Sequence, residues 1–341
     1  MRLPAEWEKQ QAVLFAFPRR AGDWGDQLDA ASRAMIRAAN LVNKVTRTII
    51  IVSDPDHFSA YADDYEGPHV ELPTDDCWVR DFGPITCETD DGETVMIDFQ
   101  FNGWGGKFDA TNDNQIPARL HKEMFWDHIY QHSDLELEGG SIESDGHGTI
   151  LTTTTCLLNT NRNDGGLTKN KVELKLRKTL GAKRFLWLTH GSLAGDDTDA
   201  HVDTLARFVD ETTIAYVACD DPADEHFADL KKMEAELQAF RTPDGKAYEL
   251  LPLPWPPAIG SSEDGHRLPA TYANFLISNG TIFVPTYFGE TAAGHPGHTT
   301  DALVLEILKL DGRYKTVGIS SRAFLEQHGS LHCLTMQIPT L

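Results

Sequence analysis

The 341-residue sequence predicts a mixed α/β class. Three observations predict it. Short runs rich in β-branched and aromatic residues recur from end to end. Amphipathic stretches with helical spacing stand between several of them. Strands and helices therefore alternate in small units, the pattern of α/β or α+β chains. The first strand-like run is VTRTIIIVS (45–53), followed by ETVMIDFQF (93–101), GTILTTTT (148–155), RFLWLT (184–189), HVDTLARFV (201–209), TIAYVA (213–218), GTIFVPTY (280–287) and LHCLTMQIP (331–339). The helical stretches are DQLDAASRAMIRAANLVNKV (26–45), NKVELKLRKTLGA (170–182), with Gly181 placed to end it, and DEHFADLKKMEAELQAF (224–240). LLPLPWPPAIGSSEDGHRLP (250–269) reads as a long loop, too long for a turn, and loops of that length are often functional.

Composition narrows the function classes. Hydrophobic residues make up 40% and charged residues 24%, as in ordinary globular chains. The longest apolar runs, such as 13–17, are too short to span a bilayer. The start, MRLPAEWEKQQ, lacks the basic end and apolar stretch of a signal peptide, so a cytoplasmic location is expected. No linker or low-complexity tract divides residues 1–341, which read as one catalytic domain. The net charge is -22, which argues against nucleic acid and suits a cationic ligand, although solubility alone explains acidity equally well. The five cysteines, at 77, 87, 156, 219 and 333, have no C-x-x-C pair, and their odd number argues against a disulfide framework or zinc ribbon.

Four stretches hold most of the reactive groups. In TDDCWVRDFGP (74–84), Asp81 precedes a Phe-Gly-Pro stop; it reads either as an acid presented at a turn or as a turn cap. In LELEGGSIESDGHGTILTT (135–153), Glu138 precedes paired glycines that let a ligand or backbone come close. In HGSLAGDDTDAHVDTLARFVD (190–210), His201 and Asp203 begin an apparent strand and so share a face. That pair reads as metal ligands, as an acid/base with its orienter, or as a surface accident. GHPGH (294–298) keeps metal in view, but no His-x-x-x-His helix or run of liganding acids supports it. Cys333 opens the last strand, as a core residue or as a nucleophile. Together the stretches supply a thiol, an imidazole and three carboxylates. Cys with His is the minimum for thiol catalysis. Three acids beside a thiol would hinder a protease by raising the thiol pKa. They make sense around a planar cation, since a guanidinium offers five N–H donors in a fixed fork.

These stretches resemble the agmatine deiminase family, related to bacterial peptidylarginine deiminases. The resemblance runs from LPAEWEKQQAVLFAFP (3–18) through WVRDFGP (78–84), FNGWGG (101–106), EGGSIESDGHGTILTTTTCLLNTNRN (138–163) and GDDTDAHVD (195–203) to GSLHCLTMQIP (329–339). It implies a pentein fold: a five-bladed α/β propeller of ββαβ-type modules with a central site. It implies Cys333 as nucleophile, His201 as acid/base, Glu138 as the carboxylate beside it, and Asp81 and Asp203 as the acids that grip a guanidinium. It implies no metal and no cofactor. The partner expected is a small guanidinium cation, with a homo-oligomer permitted. The chain departs from the family pattern at Gln327 and His328, which replace two glycines, and in GDDTDA before His201. The steps Asp81–Glu138, Glu138–His201 and His201–Cys333 are 57, 63 and 132 residues, and a fifth of the chain is about 68. That spacing fits five modules, with the one near 265–290 shaping the pocket. Agmatine is the expected substrate, with Asp197 as acceptor for its tail amine and Trp78 either along its stem or in the core. Peptidyl arginine, a metal-dependent guanidine hydrolase and a non-catalytic pentein are the alternatives.

Overall fold

A computed structural model of the chain describes residues 1–289 and 294–340. It is a mixed α/β fold. Its strands are β1 (Gln10–Ala16), β2 (Thr48–Val52), β3 (His69–Glu71), β4 (Ile85–Glu88), β5 (Thr94–Gln100), β6 (Ile129–Glu136), β7 (Ile142–Ser144), β8 (Thr149–Thr153), β9 (Arg184–Leu188), β10 (Ala206–Phe208), β11 (Thr213–Val217), β12 (Glu249–Leu253), β13 (Leu276–Ser278), β14 (Thr281–Thr286), β15 (Lys315–Ser320) and β16 (Met336–Pro339). Among the described residues they form five sheets, ordered β16-β1-β2-β3, β4-β5-β6, β7-β8-β9, β10-β11-β12 and β13-β14-β15.

One pattern recurs in all five. A first strand pairs antiparallel with a second, and the second pairs parallel with a third. Parallel pairing requires a long crossover, and each is helical. The crossover helices are Leu28–Asn43, Ile116–Met124, Lys169–Leu180, Phe227–Ala239 and Pro296–Ile307. The first of these buries Ala31, Ala34, Met35, Ala38, Ala39 and Val42, the 3–4 spacing of a single helix face. Gly181 stops the third at φ +68, a left-handed cap that a side chain disfavours. Central strands such as β2 and β11 are buried along their whole length, which explains their continuous rather than alternating apolar patterns. The two ends of the chain meet where β16 pairs with β1, Met336 opposite Leu14 and Ile338 opposite Ala12.

Three expectations are corrected here. Residues 201–209 are a strand only over Ala206–Phe208; Val202–Thr204 form a 3-10 turn, entered through Asp199 and Ala200 at φ +66 and +63. Cys333 likewise lies in the 3-10 turn His332–Leu334, and the strand begins at Met336. The 250–269 stretch opens as β12, and a bridge between Gly260 and Arg267 pins its far part. No helix among the described residues is long and apolar enough to cross a membrane.

Candidate active site

The site is built from equivalent places in the five sheets: the turn just before each antiparallel first strand. Asp81 lies in the short helix Val79–Phe82 ahead of β4. Glu138 caps the turn Gly139–Ser141 ahead of β7. His201 and Asp203 precede β10, Asn274 precedes β13, and Cys333 precedes β16. Of the two readings of Asp81, it is presented to the cavity beside Cys333 while being only 4% exposed and packed among other site groups.

The structure brings all five catalytic candidates together. Cys333 Sγ is 4.0 Å from Asp203 Oδ2. His201 Nδ1 lies 3.6 Å from Asp81 Oδ1, and its Nε2 lies 4.0 Å from Glu138 Oε2. Trp104 Nε1 donates to Asp81 Oδ2 at 2.9 Å, and the Gly140 N–H donates to Asp81 Oδ1 at 3.0 Å. Gly140 is there because nothing larger fits. A Cβ on it would lie 2.7 Å from His201 Nδ1, 2.9 Å from Asp81 Oδ1 and 3.1 Å from Asp203 Oδ2. The paired glycines thus admit two kinds of neighbour: the Arg80 backbone carbonyl closes in on Gly139, and the catalytic groups close in on Gly140. Trp104 holds φ +55, a strained value for a large side chain, in a turn pinned by Gly105 N–H donating to Asn102 Oδ1 at 2.7 Å.

Burial and crowding of charge shape the electrostatics. Burial pushes the Cys333 thiol well above its ordinary pKa, and the Asp203 and Asp81 charges add to the shift. Burial also raises Asp81 to about 6, against the pull of His201 and with the push of Asp203 and Glu138. Burial opposes the charging of His201, yet Asp81, Cys156 and Glu138 hold its pKa well above normal. Burial works against ionised Asp203 too, but the His332 hydrogen bond keeps its pKa below normal. Neither ring nitrogen of His201, nor Asp203 Oδ1, finds a hydrogen-bond partner among the described residues. Buried polar atoms without partners are costly, and the acceptor Asp203 Oδ1 marks where a donor-rich, charged ligand is favoured.

A cavity of about 820 Å³ opens onto Cys333 and Asp81. Trp78 lines it while remaining 6% exposed and tilting against Trp24 at 6.0 Å, so it serves wall and core at once. Asp197 lines it as well, its pKa raised by burial and by Asp196. Ser261, Ser262, Glu263 and His266 bring the 250–269 segment to the cavity mouth, and His266 stacks on His328 at 5.4 Å.

The chain matches the family model described as Porphyromonas-type peptidyl-arginine deiminase over residues 2–339. It belongs to that family. A solved structure provisionally named a peptidyl-arginine deiminase is 43% identical, with TM-score 0.92, covering 99% of this chain and 98% of the other. A C. jejuni agmatine deiminase in which serine replaces a cysteine, solved with substrate bound, is 34% identical at TM-score 0.89, covering 99% and 96%. A relative from Marinomonas sp. strain MWYL1, provisionally named agmatine deiminase, is 34% identical over 99% of this chain and 94% of its own.

Within this deiminase, other residues that do not stand out in the sequence border the site. Asn274 Nδ2 lies 3.3 Å from Cys333 Sγ, and Asn274 Oδ1 accepts from the backbone N–H of His332 at 2.9 Å and of Cys333 at 3.3 Å. Arg162, fully buried, donates from Nε to Glu138 Oε1 at 2.7 Å and from Nη1 to Asp199 Oδ2 at 2.6 Å. The module-length spacing of the acids is the one signal that points to a contribution near 274. Nothing in the local sequence marks Arg162. Donor atoms of Glu138, Cys156 and His201 lie within 4.8 Å of one another, a separation that suits a small metal ion; the His201–Asp203 pair weighed from sequence is not that group.

Proposed function

We propose that this deiminase hydrolyses agmatine to N-carbamoylputrescine and ammonia through a thiouronium on Cys333. The observation that carries the reading is the convergence of one thiol, one imidazole and three carboxylates from four sheets, with Cys333 and Asp81 lining the cavity and His201, Asp203 and Glu138 buried against them. The reading is supported by relatives named agmatine deiminase. Residues 1–341 would act as one catalytic unit, its five like-patterned sheets standing as propeller blades around the site.

In this reading the guanidinium lies between Asp81 and Asp203, with Asp203 Oδ1 accepting one of its N–H donors. Trp104 and Gly140 fix the Asp81 carboxylate for the other side. The incoming cation lowers the pKa of the thiol, whose proton leaves to solvent. The thiolate attacks the central carbon. His201, kept protonated by its acidic neighbours, gives a proton to the departing nitrogen, and ammonia leaves. Neutral His201 then takes a proton from water as the water attacks the same carbon. The C–S bond breaks, thiolate returns, the proton of the adduct's hydroxyl passes to solvent, and the neutral ureido product is released. Glu138, anchored by Arg162, faces His201 Nε2 at 4.0 Å and favours the charged ring. Asp197 and the acidic rim suit the tail ammonium, and Trp78 its alkyl stem.

The family description and the 43% identical structure favour a second reading, deimination of arginine in peptides. Ammonia release from agmatine, free arginine and an N-blocked arginine peptide, assayed side by side, tests both. Agmatine should be preferred by at least about a hundredfold in kcat/KM, the loss of one buried charge contact. A preference for the blocked peptide would replace the agmatine reading. Mass spectrometry of acid-quenched enzyme should find the adduct on Cys333.

A further inference from the structure

We infer that Glu6 and His332 are positioning residues for Asp203, forming a buried relay from the N-terminal segment to the acid that receives the guanidinium. The inference rests on the proposed role of Asp203. It starts from a group that the reaction above does not use. His332 is the immediate neighbour of Cys333, yet it does not line the cavity and is 1% exposed. Its Nδ1 is 2.7 Å from Asp203 Oδ2, and its Nε2 is 2.7 Å from Glu6 Oε2. An ionised carboxylate only accepts, so the Nδ1 facing Asp203 carries hydrogen, and the Nε2 facing Glu6 must carry one too for that bond to form, with the Arg207 Nη2 donor 3.1 Å from the same nitrogen.

The contact divides Asp203 between two tasks. Oδ2 is committed to His332, and Oδ1 is left without a protein partner among the described residues. A carboxylate held by one oxygen cannot rotate to offer its other edge, so Oδ1 stays aimed for a planar donor. The same bond keeps the buried acid ionised, as a cation-gripping group must be.

Glu6 in turn fixes His332. Its Oε1 accepts from the Ile277 backbone N–H of β13 at 2.7 Å, while Oε2 meets His332 and the Arg207 guanidinium, the latter at 3.1 Å. Arg207 Nη1 donates to the Phe275 carbonyl at 2.6 Å, and Arg207 Nε pairs with Glu143. One carboxylate near the chain start is therefore tied to three different sheets. Each tie limits the ring that orients Asp203.

Two amides separate the halves of the relay. Asn at position 332 can place its amide nitrogen near Nδ1, keeping the bond to Asp203. Gln can reach toward Nε2, keeping the bond to Glu6. Agmatine affinity should be measured by calorimetry in a Cys333→Ala background carrying H332N, H332Q or E6Q, with kcat and KM measured in the active forms. H332Q should weaken binding by about ten- to a hundredfold, the range of a lost charged hydrogen bond, and raise KM more than it lowers kcat. H332N should recover most of that loss. E6Q, which keeps the shape and the Ile277 acceptor, should raise KM severalfold even if H332Q does not fold. Equal losses in H332N and H332Q, or an E6Q variant with unchanged KM, overturn the relay. Failure of Cys333→Ala alone to bind agmatine, with inactive wild type, would overturn the functional reading and the relay together.

Discussion

At Cys333 the thiol is held in its protonated form by burial first and by Asp203 and Asp81 second. A resting enzyme should therefore be slow to react with alkylating agents at neutral pH. A small guanidinium compound that leaves the sulfur open replaces repulsion by attraction, so it should shift the alkylation–pH profile of Cys333 toward lower pH by about a unit or more. Measured with iodoacetamide, a profile already low and unmoved by the cation would reject this coupling. The five reactive candidates were legible in sequence because thiol, imidazole and acids beside glycine are unusual in combination. Asn274, Arg162, Glu6 and His332 were not. Each is an ordinary polar residue in its own stretch, and its role exists only through partners 24 to 326 positions away. No local pattern records such a contact.

At the scale of elements, the helices Leu28–Asn43, Lys169–Leu180 and Phe227–Ala239 and strands such as β2, β5 and β11 follow from periodicity, whereas the crossover helices Ile116–Met124 and Pro296–Ile307 and strands β1, β6 and β15 have no counterpart in that reading. The stretches that carry chemistry break the pattern. Residues 201–204 and 332–334 hold enough β-branched and apolar residues to read as strand starts, but form 3-10 turns. A strand would send His201 and Asp203 to one face of a sheet. The turn sends them past its end, where other turns arrive. Such turns are held by the strands that follow, so β16 supports Cys333. Ile338, fully buried opposite Ala12, is the test. Ile338→Ala should cost about 2–5 kcal/mol in urea unfolding, the range for emptying a core site. A loss below about 1 kcal/mol would show β16 to be loosely attached.

For the whole molecule, the buried acids make stability depend on pH. Burial raises Asp76 to about 6, despite the Cys77 N–H bonded to it, Asp81 to about 6, and Asp113 to about 8, despite the Asp75 N–H it accepts. Each lies above the unfolded value near 3.9. At these three acids the folded chain therefore binds more protons than the unfolded chain between about pH 4 and 8, and their contribution to stability falls as pH rises through that window, while His57, His128 and His332, lowered first by burial, act the other way. Raised His201 acts in the same direction as the three acids. A guanidinium needs Asp81 ionised, so the melting-temperature increase caused by agmatine should grow from pH 5 to 7, as differential scanning fluorimetry can measure. An increase that shrinks over that range would contradict the assignment of Asp81 as a cation acceptor.

The antiparallel contact between β1 and β16 has a further consequence. Because the first and last strands lie side by side in one sheet, the strand order within the five sheets does not depend on where the chain starts. Circular permutants joined by a short linker across this seam, and reopened at the exposed turn 243–246, keep every strand pairing and every contributor to the reaction centre. Where the backbone is nicked then matters little, and catalytic geometry belongs to the paired strands rather than to either end of the thread.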